Sequence, residues 1–325
     1  MSLSKTNTPQ LSVSTKASQT PSKNGLWSPS QVFHSRPEVP KHECIHRLFE
    51  RQVQRTPAAI AISIDGSQLT YQQLNRQSNR LAYQLAALGV GPGYLVGICV
   101  DQSIDMVIGL LGILKAGGAC VPISPNRLKD PIKDLVRESH IKILLTQTHL
   151  EHRLASCLPC KDINLICLDR DQWTNMQSCP DLKALVTADS SMYALYASDT
   201  TGQIRKTTTS HTAICNRLFW LQTTLPLSNQ DRVLQNISFA HIPSVWQIFW
   251  PLLSGAQLIL PQAKNCQNVQ YIAERIRAKR VSVVNLAPSL LRDVITHPQL
   301  EQCKTLQRIF SSSEPLPLEL QQPFS

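Results

Sequence analysis

From about residue 43 onward, short apolar runs alternate with segments of helical periodicity, and no other feature of the chain restricts its fold as strongly. Residues 94–100, 119–123, 142–146, 164–169, 192–198, 232–238, 256–260 and 281–287 read as strands. Apolar runs of that length fit strands buried on both faces. Between them, Leu74, Ser78, Leu81, Leu85 and Leu88 recur at helical spacing, and Gly89 follows as a C-terminal cap. Residues 104–115, closed by Gly117-Gly118, and 245–253, 269–279 and 289–296 read as further helices. Parallel neighbours need a crossover, which a helix supplies. The expected class is therefore α/β, with layered, parallel-rich sheets covered by helices on both faces.

Composition sets the outer bounds. The chain has 325 residues, 42% hydrophobic and 17% charged, which suits a globular protein with a sizeable core. Its 32 Lys+Arg exceed its 22 Asp+Glu, for a formal net charge of +10. That excess favours polyanions in general. The basic residues are scattered, however, and no nucleic-acid recognition motif accompanies them, so no specific nucleic-acid partner is expected. Residues 1–42 are rich in Ser, Thr, Pro, Lys and Gln and bury too little apolar surface to offset their ordering entropy. They are expected to form a disordered basic leader before a folded unit at 43–325, with Trp27 and Phe33 as its local docking points. The start is polar and lacks the apolar core of a signal peptide, so the 10 cysteines are expected as reduced thiols in cytoplasm. Cys157 and Cys160 form a lone CxxC without the second close pair of a zinc site, and no metal site is expected. The most apolar stretch, 106–123, is interrupted by Lys115 and glycines, so no membrane span is expected.

The segment with the most chemistry in it runs from Tyr196 to His211: Tyr-Ala-Ser-Asp-Thr-Thr-Gly-Gln-Ile-Arg-Lys-Thr-Thr-Thr-Ser-His. A strand enters a loop of hydroxyl residues with Gly202 and two adjacent cations, Arg205 and Lys206. Such N–H and hydroxyl groups can donate to phosphate oxygens, and the cations can neutralise charge. The same residues also suit an ordinary polar surface turn. The pattern is not a Walker loop.

In context the segment resembles the phosphate loop of the adenylate-forming superfamily, approximately Ser-Gly-Thr-Thr-Gly-x-Pro-Lys-Gly with a later His. Ser198, Thr200, Thr201, Gly202 and His211 match in register. Further landmarks occur in order. Cys44 to Glu50 (CIHRLFE) with Arg55-Thr56-Pro57 is similar to the domain entry of nonribosomal peptide synthetases. Leu69 to Leu74 (LTYQQL) resembles the first core motif, and Leu114 to Ile123 (LKAGGACVPI) the second. Ser244 to Ala256 (SVWQIFWPLLSGA) resembles the segment that opens the substrate pocket. The resemblance covers about 43 to the end. It is to the adenylation (amino-acid-activating) domain of these synthetases, and within that domain to the large N-terminal part, without the small C-terminal domain.

That resemblance implies a reaction: a substrate carboxylate attacks the α-phosphate of ATP, pyrophosphate leaves, and the acyl group passes to a phosphopantetheine thiol, with Mg²⁺ on the phosphates. It implies phosphate-binding roles for Ser198, Thr200, Thr201, Gly202, Arg205 and Lys206. It implies a substrate pocket at His241, Ile242, Pro243, Trp246, Asn285, Phe310 and Ser312, whose other reading is core packing. The chain departs from the family at informative places. Asp199 replaces a loop glycine, and a carboxylate beside a triphosphate is repulsive by ~4 kcal/mol at an intermediate dielectric. Ile204 stands for a proline, Arg205 for a lysine and Lys206 for a glycine. Ile242 occupies the position of the aspartate that pairs with a substrate α-ammonium. A working pocket would then take an acid without that group, such as a keto or hydroxy acid; decay of the pocket is the alternative. Phe310 to Glu314 resembles the family's Ser-Gly-Glu stretch, with Ser313 in the glycine's place.

The family's aromatic-Gly-Pro-Thr-Glu motif, its ribose-holding aspartate and its catalytic lysine do not occur before Ser325. The resulting expectations are no ATP–pyrophosphate exchange by the 325-residue chain alone, and low solubility from unpaired strand edges. Three readings stand: an adenylating ligase fragment partnered by a complementing C-terminal synthetase fragment or a peptidyl carrier protein, a non-catalytic pseudo-enzyme or interaction module on the same fold, and a polyanion-binding protein using the leader.

Overall fold

In the computed structural model of the chain, the described residues are 43–127, 131–158, 163–170, 179–198, 204–241, 243–262, 265–300, 303–312 and 314–321. The expected leader, 1–42, lies outside them, as do Cys160, Asp199, Thr200, Thr201, Gly202, Ile242 and Ser313.

The first half runs α1 (Ile45–Arg55), β1 (Ile60–Ile64), β2 (Ser67–Thr70), α2 (Tyr71–Ala87), β3 (Leu95–Ile98), α3 (Ile104–Ala116), β4 (Ala119–Pro122), α4 (Pro131–Ser139), β5 (Ile143–Thr146), α5 (Thr148–Cys157) and β6 (Asn164–Cys167). There follow β7 (Ser191–Ser198), β8 (Ile204–Ser210), α6 (His211–Thr224), β9 (Arg232–Leu234), α7 (Pro243–Ser254), β10 (Gln257–Ile259), α8 (Val269–Ala278), β11 (Val283–Leu286), α9 (Pro288–Ile295), β12 (Arg308–Ser311) and α10 (Leu318–Gln321). The strands form two six-stranded sheets, β12-β11-β9-β10-β1-β2 and β6-β5-β3-β4-β7-β8. Each is parallel except for one antiparallel hairpin at its edge, β1–β2 in the first and β7–β8 in the second.

Helices fill the space between the sheets and cover both outer faces, as expected of doubly covered parallel sheets. The largest core cluster joins α1, α2, α3, α6 and α7 to β1, β9 and β10 of one sheet and β3 and β4 of the other. A second cluster packs α8 and α9 on the outer face of the first sheet. A third packs α4 and α5 on the outer face of the second. Local signals explain several boundaries. Thr70 caps α2 with a full capping box to Gln73, and Ser103 caps α3 by accepting from Met106 N–H. Gly117 ends α3 in the left-handed conformation at φ 92°, which favours glycine.

Three expectations are corrected. Residues 232–238 do not all form a strand: β9 stops at Leu234, where the chain turns into a segment held by side chains. Leu88 is not on the buried face of α2 but caps its end, 41% exposed. Lys115, read as an interruption of an apolar run and as part of the second core motif, is fully buried. Every described cysteine is free. Among the described residues no helix is long and apolar enough to cross a membrane.

Candidate functional site

The β7–β8 hairpin frames the phosphate-loop segment. Its backbone register pairs Ala197 with Arg205 and Tyr196 with Lys206. Arg205 and Lys206 are thus strand residues rather than loop residues, and both are exposed. Neighbours on a strand point to opposite faces, and directly paired residues share a face. Arg205 therefore lies on the face of Ala197, Leu195 and Tyr193, which is the face turned to the inter-sheet core. Lys206 lies on the face of Tyr196 and Ala194, towards the outer cluster with Val121 and Ile141. The two cations do not form one fork. Ser198 ends β7.

On the inner face, Tyr193 is buried and its hydroxyl donates to Phe239 O at 2.8 Å. This bond ties the hairpin to the segment that leads into α7. That segment is fixed from several sides. Gln102 Nε2 donates to the side chain and backbone oxygens of Gln235. Buried Gln247 donates to Asn236 Oδ1 at 3.2 Å and accepts from Ile237 N–H at 3.3 Å. At the entry to α7, His241 is exposed, and its carbonyl accepts from Ser244 N–H at 3.0 Å and Ser244 Oγ at 2.7 Å. Pro243 opens the helix.

The structure brings together the rest of the expected pocket. The Trp246 and Phe310 rings lie 4.9 Å apart, and Trp250 packs 5.9 Å from each. Phe310 on β12 sits opposite Asn285 on β11. Buried Asn285 donates to Ser312 Oγ at 3.0 Å, and Ser312 Oγ lies 3.2 Å from Asn285 Oδ1. An apolar ring pair thus stands beside an amide–hydroxyl pair, all of it uncharged. Glu314, at the end of the Ser-Gly-Glu-like stretch, accepts from Ser289 N–H at 3.1 Å and Ser289 Oγ at 3.0 Å, so its carboxylate caps the first turn of α9.

Two motif residues have structural work. His211 is buried, and its Nδ1 accepts Ile45 N–H at 3.2 Å, joining the start of α6 to that of α1. Burial lowers its pKa from 6.5 to about 4. His46 packs edge-on against it at 5.7 Å and is lowered in the same direction, chiefly by burial and then by His211. Lys115 pairs with Glu50 on α1 and, at 3.5 Å, with Asp181. Asp181 also accepts from Asn75 at 2.8 Å and Asn79 at 3.0 Å. Burial raises the Asp181 pKa, but the Asn79 and Asn75 hydrogen bonds and then Lys115 outweigh it, leaving it lowered. Lys115 and Gln247 lie inside the quoted motifs without a role of their own there, and Gln235 lies in none of them. The available signal was a lone polar residue inside an otherwise apolar helix, as at Gln247 and Lys115.

The family described as AMP-binding enzyme matches residues 49–325. Tyrocidine synthase 3 of Brevibacillus parabrevis is 36% identical over 272 residues, covering 84% of this chain and 4% of that protein. Zwittermicin A synthase ZmaJ of Bacillus cereus is 34% identical over 277 residues, 84% of this chain and 52% of the other. The chain thus spans about half or less of these relatives' lengths. Among solved structures, the nonribosomal peptide synthetase FmoA3 in its AMPPNP-bound form superposes with a TM-score of 0.81 at 26% identity, over 90% of this chain and 31% of that one. The N-terminal subdomain of Klebsiella oxytoca NpsA, in complex with 3-hydroxybenzoyl-AMSN, has the same fold at a TM-score of 0.76 and 22% identity, over 90% of this chain and 71% of that one.

Proposed function

This chain belongs to the AMP-binding enzyme family, in the adenylation branch of the nonribosomal peptide synthetases, and from that membership we propose that it carries the acid- and phosphate-binding part of a domain that activates a carboxylic acid with ATP. The observation behind this reading is the Tyr193–Phe239 bond, which sets the inner face of the phosphate hairpin against the approach to the Trp246–Phe310 pocket. The proposed unit is 43–325, behind the leader 1–42.

In this reading a carboxylate oxygen of the acid bonds to the α-phosphorus of ATP, and the bond to pyrophosphate breaks. The hydroxyls of Ser198, Thr200 and Thr201 and the loop N–H groups around Gly202 donate to the departing phosphates. Arg205 supplies the cation on the inner face; Lys206 adds charge from the other. The chain's contribution is positioning and charge neutralisation. ATP arrives with its own Mg²⁺ as part of the substrate; among the described residues no three His, Cys, Asp or Glu side chains gather as a ligand set. Trp246 and Phe310 hold the apolar body of the acid, while Asn285 and Ser312 offer it one donor and one acceptor. His241 and Pro243 shape the pocket mouth. With Ile242 where an aspartate would meet an α-ammonium, a bound ammonium would forfeit on the order of several kcal/mol. The preferred acid is a 2-hydroxy or 2-keto acid. The acyl group then passes to the phosphopantetheine thiol of a peptidyl carrier protein, with a complementing C-terminal synthetase fragment as partner.

Calorimetry with non-hydrolysable acyl-sulfamoyl adenosines tests this. The 2-hydroxyacyl mimic should bind at least tenfold more tightly than its 2-amino counterpart, and Ile242→Asp should reverse the order. Preference of the unaltered chain for the 2-amino mimic would remove the acid assignment. Failure of a folded chain to bind any mimic, the 2-hydroxy acid itself or magnesium pyrophosphate would remove the acid- and phosphate-binding roles proposed here.

A further inference from the structure

Helices α1, α6 and α7 line a half-open cavity of about 340 Å³ that includes Trp250 in its wall. We propose that it is a second small-molecule site, one that takes an amphipathic carboxylate with an apolar chain and a single anionic head. This goes beyond the adenylation reading and does not depend on it.

The cavity is within the size range of small-ligand pockets, roughly 300–1,000 Å³. Its apolar wall is formed by Leu218, Phe219, Trp250 and Leu253, and its cations are Arg51 and Arg55. Those two arginines lie four residues apart on α1 and share one face of the helix. Among the described residues, no aspartate or glutamate lines the cavity. Arg51 is engaged with Glu43 at 2.8 Å. Arg55 is exposed and makes no ion pair among the described residues, which leaves its guanidinium for a ligand. A guanidinium fork suits a carboxylate.

The interior polar groups have partners already. Gln222 Oε1 accepts from Trp250 Nε1 at 2.7 Å and from Ser254 Oγ at 2.8 Å, and Gln52 Nε2 donates to Thr56 Oγ1 at 2.9 Å. A ligand reaching inward therefore meets hydrocarbon and indole, and a buried hydroxyl or amide on it would go unpaired. Charge at the mouth and satisfied apolar walls select a fatty or aryl carboxylate over a sugar or a nucleotide. Trp250 is shared with the aromatic cluster of the acid pocket, with ring separations of 5.9 Å to Trp246 and to Phe310.

The test is isothermal titration of the whole chain with decanoate and with 1-decanol, alongside Arg55→Glu and Asn285→Ala. We expect saturable one-to-one binding of decanoate, at least tenfold weaker binding of decanol, at least tenfold loss in Arg55→Glu, and no change in Asn285→Ala. Thermal melts check that both variants are folded. Binding lost in Asn285→Ala but kept in Arg55→Glu would put decanoate in the acid pocket and overturn the proposal, leaving the adenylation reading intact. Equal binding of decanol, or no saturable binding to the folded chain because another segment or a second copy fills the cavity, would overturn it as well.

Discussion

Two antiparallel hairpins close corresponding edges of the two sheets, and they are built differently. In β1–β2 the register runs to Ile64 opposite Ser67, leaving a two-residue turn of Asp65 and Gly66 at φ 28° and 92°. Asp-Gly is the favoured pair for such a turn because both residues need positive φ. Arg275 of α8 pairs with Asp65 at the turn itself. In β7–β8 the register ends at Ser198 opposite Ile204, so five residues rich in hydroxyls make the connection. That hairpin is held at its base. His211 binds Ile45 N–H, Cys44 Sγ donates to Val186 O at 3.7 Å, and Lys115 joins α1 to the 179–190 segment leading into β7. The same edge topology ends in a two-residue turn in one case and a longer connection in the other, and the proposed phosphate-binding role belongs to the longer one.

The largest expected effect is on that base. Lys115→Ala leaves two partly buried carboxylates without their cation and should cost about 3–5 kcal/mol, read as a large drop in the denaturation midpoint. A cost near zero would mean the base does not hold the hairpin. Next, Arg205→Ala should weaken binding of magnesium pyrophosphate by roughly ten- to a hundredfold while the melting temperature stays nearly constant. The opposite pattern, lost stability with intact binding, would make this hairpin as structural as the other. Gly66→Ala should do what Arg205→Ala does not: lower stability by about 1 kcal/mol, with pyrophosphate affinity unchanged. The smallest effect is on pH dependence. His211 has a folded pKa of about 4, below its ordinary 6.5. The unfolded chain therefore binds more protons between those values, and stability is full above pH 6.5 and lost as pH falls towards 4. A drop of roughly 2–4 °C in melting temperature from pH 7 to 5 is expected, reduced in His211→Gln. Equal drops in both would acquit the histidine.

Much of the fold was legible because its signals are local. The α/β class, the cores of α2, α3, α7, α8 and α9 and most parallel strands follow from apolar runs and helical spacing. The β1–β2 hairpin was not read from periodicity, since Ser67–Thr70 is short and mostly exposed. Helix α6 escaped because its apolar residues do not form a clean stripe, lying as they do between α7, α1 and β8. Of the candidate site, Trp246, Asn285, Phe310 and Ser312 come together in space. Arg205 and Lys206, adjacent in sequence, are separated to opposite faces by strand geometry that the motif could not reveal.

The sequence alone determined the class of fold, the family and the order of its motifs, because these depend on local pattern and on residue types in register. Only the tertiary structure decided which edges the two hairpins close, that Lys115 is a buried tie and His211 a staple to α1, and which face Arg205 shares with Tyr193. Those outcomes depend on contacts between residues far apart in the chain, more than two hundred positions in the case of Arg275 with Asp65. Burial and charge pairing are set by what packs there, not by what lies next along the chain.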